Sequence, residues 1–132
     1  MSAAARQKGF YLNNREIGSR YEALIAKELE NRGYGILKQN YRCPLGEIDL
    51  VAADEGYLVF IEVKYRKNGS RGSAAEAVTD GKRRKICRAA DYYMKQHGIF
   101  GDMGVRFDVA AIDGDKIRIL KDAFPYTGAV RF

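Results

Sequence analysis

Two short acidic motifs lie close together in the chain, Gly46-Glu47-Ile48-Asp49-Leu50 and Phe60-Ile61-Glu62-Val63-Lys64. Asp49 and Glu62 are 13 positions apart, each in a stretch that reads as a β-strand. Strand side chains alternate between faces with a period of two. Glu62 and Lys64 therefore share a face, and Val59, Ile61 and Val63 take the other. Adjacent strands joined by a short turn can bring Asp49 to Glu62. Two carboxylates and an ammonium group would then meet at one point of an apolar sheet. Carboxylate oxygens suit a hard cation such as magnesium, which is usually held by one or two of them plus waters and substrate phosphates. That set of groups suits phosphodiester chemistry. The plain alternative is an edge strand whose polar face is simply wet.

Further charged residues bear on the same point. Glu22 shares a helical ridge with Gly18, Ile25 and Leu29, so it borders the buried face. It is either a third acid of the site or a boundary glutamate whose stem covers apolar surface. Lys82 stands near the start of a later helix on a ridge with Ile86, Ala89 and Tyr93. It could face an anion there, or snorkel to water. Basic residues gather at Lys64, Arg66, Lys67 and Arg71, with Tyr57 and Tyr65 nearby, and at Lys82, Arg83, Arg84, Lys85 and Arg88. Such clusters resemble a phosphate-contacting surface.

The elements that must carry these groups follow from the pattern. Asn14 can cap a helix to about Arg32, closed by Gly33. Strands are expected over Tyr34–Tyr41, Glu47–Ala53 and Tyr57–Tyr65, with a turn at Asp54-Glu55-Gly56. Residues 66–73 read as a mobile loop. Residues 74–97 read as helical with a break at Gly81, Thr79 capping the longer part. Val105–Ile112 and Lys116–Leu120 form a final hairpin. The order helix, three strands, helix, two strands predicts an α/β fold with a mixed sheet and helices packed on it.

With 132 residues the chain is long enough to bury a real core as one domain. Residues 1–13 read as a flexible basic arm. The net charge of +6 favours polyanionic partners. Cys43, Cys87 and the lone His97 are too few for a zinc site. No apolar run approaches the roughly 20 residues of a membrane span, and no signal-peptide core is present. A reduced, cytoplasmic protein with no membrane partner is the expectation.

Taken in order, the two acidic motifs resemble the Asp…Glu-x-Lys signature of the restriction-endonuclease-like (PD-D/E-x-K) superfamily. With Gly18, Glu22, Gly33-Tyr34, Asn40-Tyr41-Arg42, Lys82 and Arg106-Phe107-Asp108-Val109, the chain is similar to the YraN-like uncharacterised bacterial family within it. The archaeal Holliday-junction resolvases also carry a helical Glu ahead of Asp and Glu-x-Lys. The resemblance implies a restriction-endonuclease-like core with a mixed five-stranded sheet over residues 14–132. It implies a magnesium-dependent endonuclease acting on nucleic acid, branched or structured DNA by preference, with manganese able to substitute. Glu22, Asp49 and Glu62 would hold the metal, and Lys64 would act on the attacking water. Lys82 would support the site or a phosphate, and Arg66, Lys67, Arg71, Arg83 and Arg84 would join it in gripping the nucleic acid. The literal Pro-Asp pair is absent, since Pro44 does not immediately precede Asp49. A resolvase-like task would favour a homodimer, because symmetric cuts need two sites. The alternatives are a non-catalytic nucleic-acid-binding protein of the same fold and a protein-interaction module.

Overall fold

The computed structural model describes residues 14–66, 75–99 and 103–127, with side chains in the first helix from Gly18 onward except Ser19. The order is α1 (Asn14–Asn31), β1 (Gly35–Cys43), β2 (Gly46–Asp54), β3 (Tyr57–Arg66), α2 (Asp80–Gln96), β4 (Gly104–Asp113) and β5 (Lys116–Leu120). The five strands form one sheet in the order β1-β2-β3-β4-β5. All neighbours are antiparallel except β3 and β4, which run parallel across the α2 crossover. The sheet is thus mixed, as expected, and the expected basic arm at 1–13 lies outside the described residues.

Local chemistry explains the boundaries. Helix α1 closes at Gly33, whose φ of 97° lies where glycine is least hindered. Gly33 N–H donates to Glu30 O and Tyr34 N–H to Leu29 O, a Schellman pair, and Leu29 and Tyr34 enter the same apolar cluster. The turn between β2 and β3 puts Glu55 and Gly56 at φ 52° and 82°. Two consecutive positive φ values give a hairpin twist that matches paired strands. Thr79 caps α2 through its side chain, which accepts from Lys82 N–H. The break expected at Gly81 falls earlier, at the cap, and Gly81 lies inside the helix. The cap decides the point, because a hydroxyl that satisfies a free N–H outweighs one glycine's cost.

The two faces of the sheet carry separate cores. Ile25, Ala26 and Leu29 of α1 pack on Leu50, Ala52, Val59, Ile61, Ala110 and Ile112. Ile86, Ala89, Ala90, Tyr93 and Met94 of α2 pack on Val51, Leu58, Phe60, Phe107, Val109 and Ala111. Strand β3 is therefore the middle of a helix–sheet–helix sandwich, covered on both sides. The edge-strand alternative for Glu62 falls on this point.

A buried polar network holds one region of the α1 face. Arg106 donates through Nε to Asp108 Oδ1 at 2.9 Å, and through Nη2 to Asp108 Oδ2 and Asp54 Oδ2, each at 2.8 Å. Tyr34 Oη donates to Asp108 Oδ2 at 2.8 Å, Asp122 N–H to Asp108 Oδ1 at 2.9 Å, and Lys121 Nζ to Asp54 Oδ2 at 3.0 Å. Burial alone would raise the Asp54 pKa, but Arg106 and Lys121 hold it below the usual carboxylate range. Burial and the Asp108 carboxylate push Tyr34 well up. Asp108 is fully buried, and its role is structural.

Candidate active site

The site begins where strand pairing stops. The β2–β3 register ends at Leu50↔Ile61. The next positions on the two strands are Asp49 and Glu62. Here the side chain of Asp49 takes the place of a ladder acceptor, with Oδ2 accepting from Val63 N–H at 2.8 Å. On its other side Asp49 lies opposite Asn40, where the β1–β2 register continues unbroken. The register passes from Gln39↔Leu50 to Tyr41↔Ile48 across Asn40 and Asp49. Asn40 adopts φ 54°, a left-handed conformation that asparagine tolerates better than most residues. The alternation of β2 breaks at this position. Leu50 packs under α1, whereas Ile48, two residues earlier, packs under α2. Asp49 sits at this switch, within reach of both layers.

Glu22 approaches from α1 and Glu62 from β3. Burial raises the Glu22 pKa, the charge and hydrogen bonding of Asp49 add to this, and the value reaches about 7. The Asn40 side chain pulls the other way. Oε2 of Glu22 is buried with no hydrogen-bond partner. Glu62, with its side chain only 11% exposed, is pushed to about 8, first by burial and then by the Asp49 charge. Lys82 and Lys64 oppose that shift. Lys82 Nζ lies 3.9 Å from Glu62 Oε1.

The structure therefore brings Glu22, Asp49, Glu62, Lys64 and Lys82 together from α1, β2, β3 and α2. Asp49 is the hub of two acid pairs, one with each glutamate. Among the described residues no three acidic, histidine or cysteine side chains converge as a ready-made ligand set. A pair of carboxylates is nevertheless enough for magnesium, with waters and substrate phosphates completing the shell. A buried carboxylate oxygen without a partner, beside other acids, fits a hard cation.

The expected nucleic-acid contacts divide. Arg66 turns inward: its side chain is only 9% exposed and its Nε lies 3.7 Å from Asp113 Oδ1. Arg83 also serves the fold. It donates to Val78 O at 2.9 Å and Ala75 O at 2.7 Å, and its guanidinium lies over the Phe124 ring. Arg84 is exposed beside a cleft that Arg88 also lines. Lys67 and Arg71 lie outside the described residues. Asn40, read in the sequence only as part of the Asn40-Tyr41-Arg42 block, joins the site beside Glu22. Tyr21 and Tyr65, chain neighbours of Glu22 and Lys64, stack on each other with centroids 4.6 Å apart.

These elements define an α/β protein with the arrangement expected of a restriction-endonuclease-like core. Residues 21–112 match the family model described as Uncharacterised protein family UPF0102, and the chain belongs to this family. It is 43% identical over 118 residues to a UPF0102 protein of Lachnoclostridium phytofermentans, covering 89% of this chain and all of the relative. It is 44% identical over 100 residues to one of Vibrio parahaemolyticus, covering 76% of this chain and 83% of the relative. A Clostridium botulinum relative is 39% identical over 117 residues, covering 84% of this chain and 95% of the relative. No helix among the described residues is long and apolar enough to cross a membrane.

Proposed function

We propose that this protein is a metal-dependent nuclease of the PD-D/E-x-K superfamily, related to the archaeal Holliday-junction resolvases, that hydrolyses phosphodiester bonds of branched or structured DNA. One observation carries the reading. Asp49 and Glu62 occupy the positions where β2 and β3 cease to pair, Glu22 reaches Asp49, and the charges of Lys64 and Lys82 act on Glu62. Magnesium bound there would supply Lewis-acid polarisation of a phosphoryl oxygen and a bound water of lowered pKa. Asp49 and Glu62 would hold it, with Glu22 able to add the partnerless Oε2. Lys64 places positive charge where the transition state gains negative charge, and orients the attacking water. Lys82, released from Glu62, meets a phosphate near the α2 N-terminus, where the helix dipole also favours an anion. Lys67, Arg71 and Arg84 add phosphate contacts that set affinity without reading sequence. Free Cys43 and Cys87 accord with work in the cytoplasm. Paired incision of a four-way junction would need two such sites and hence a homodimer.

A second reading has its own support. Glu62 is paired with Lys82, and Asp49 Oδ2 is taken by Val63 N–H. In a non-catalytic nucleic-acid-binding protein these contacts would be permanent. The test is incubation of pure protein with labelled linear, flapped, four-way and single-stranded DNA, with magnesium, manganese or chelator. Metal-dependent incision supports the nuclease. Binding with a steep salt dependence and no incision supports the second reading. Neither binding nor incision points to a protein-interaction module.

A further inference from the structure

An aromatic pair on the α1 side of the sheet has no task in the chemistry just described. Tyr21 immediately precedes Glu22, and Tyr65 immediately follows Lys64. Their rings stack with centroids 4.6 Å apart and planes 17° from parallel. Tyr21 packs against the α1-side core, whereas Tyr65 rides on Tyr21 and stays 48% exposed. Tyr65 is thus a large flat ring, braced by Tyr21 and about half exposed. A ring fixed in advance loses little freedom when a second flat group settles on it. The net charge of +6 suits a polyanionic strand.

We propose that the exposed part of Tyr65, braced by Tyr21, is a stacking platform on the α1 side of the sheet for an unpaired nucleobase of the strand bound at Asp49 and Glu62. This rests on the nuclease reading and deepens it by naming the substrate class. A base inside continuous duplex has both faces covered by its neighbours. A base in a flap, a junction centre or a single strand has a face to offer. Stacking on aromatic rings tolerates every base, so it selects for unpaired structure and not for sequence. The platform makes the site prefer strands with unpaired nucleotides over uninterrupted duplex.

The experiment uses the wild-type chain in chelator, so that binding is read without chemistry. Single-stranded DNA carrying one 2-aminopurine should lose fluorescence on binding, as the probe stacks on the ring. Tyr65→Leu should abolish that quenching and weaken single-strand affinity about tenfold, while duplex affinity changes less than about twofold. Tyr65→Phe, which keeps the ring, should retain the quenching. A 5-iodouracil strand irradiated on the wild-type protein should crosslink to Tyr65, a readout that does not depend on any variant folding. Quenching that survives Tyr65→Leu, equal weakening for single strand and duplex, or a crosslink mapped elsewhere would overturn the platform. All of these signals are independent of incision. A wild-type protein that never cuts would end the nuclease reading and leave them standing.

Discussion

Lys64 and Glu62 stand two residues apart on one strand face, yet the proposed nuclease chemistry gives them opposite parts. In the proposed mechanism Lys64 acts on the developing phosphoryl charge, so its loss should appear in the rate. Lys64→Ala should lower single-turnover cleavage by about 100-fold, the size of effect seen when one preorganised charge-stabilising donor is removed. Affinity for the same DNA should fall by only about threefold, since many other cations contact phosphate. Equal losses of rate and affinity would make Lys64 an ordinary phosphate contact. Glu62 gives a second observable. Its folded pKa is raised from the usual carboxylate value to about 8, first by burial and then by Asp49. An acid raised in the folded state binds its proton more tightly there than in the unfolded chain. Its contribution to stability is full below the unfolded pKa and is lost as pH climbs through the folded one. Without metal, the melting temperature should therefore fall between about pH 5 and pH 8. Glu62→Gln should flatten that slope, and an unchanged slope in the variant would show that Glu62 titrates normally.

The strands and helices make these residues meet, and much of that was legible in the sequence. The alternation through Leu58–Lys64 put Glu62 and Lys64 on one face, and the structure packs Leu58 and Phe60 of that face under α2. The Gly33 stop, the Glu55-Gly56 turn and the Thr79 cap were readable because each depends on local chemistry. Pairing partners were harder to read. The opposition of Asn40 and Asp49 arises between β1 and β2, and no window within one strand reveals it. Arg66 and Arg83 counted as free cations in the sequence because Asp113 and the 75–78 turn reach them only through the fold. The Arg106 network likewise joins β2, β4 and the segments after α1 and β5. Its loss should be costly. Arg106→Met would leave Asp54 and Asp108 buried without their main cation, a defect on the order of 3–5 kcal/mol. Asp54 is held low in the wild type, so its contribution is present above the usual carboxylate pKa and fades as pH falls. In the variant the buried acids, with only Lys121 left beside Asp54, should instead favour protonation. The stability gap between wild type and variant, read from urea unfolding, should then narrow from pH 7 to pH 4. A gap that stays constant would show that the network works through packing alone.

The sandwich brings acids from α1, β2 and β3 to one end of the β2–β3 pairing, and metal binding should register in its global stability. A ligand that binds only the folded state stabilises it by about 1.4 kcal/mol at ten times its Kd. For a domain near this size that raises the melting temperature by roughly 3–6 °C. Manganese should produce this rise, and the Glu22→Gln, Asp49→Asn, Glu62→Gln triple variant should lose it. The metal-free variant should melt no lower than wild type, because the crowded charge is gone. A manganese shift that persists in the variant would place the ion elsewhere. Cleavage itself remains the decisive readout, with Asp49 as the residue to change. Asp49→Asn keeps a side-chain oxygen that can accept from Val63 N–H, and removes only the charge. Single-turnover incision of a labelled four-way junction should proceed in magnesium with the wild type, stop in chelator, and fall by about 100-fold or more in Asp49→Asn. Incision by the variant at the wild-type rate, or by the wild type in chelator, would contradict a metal-dependent nuclease centred on Asp49 and Glu62.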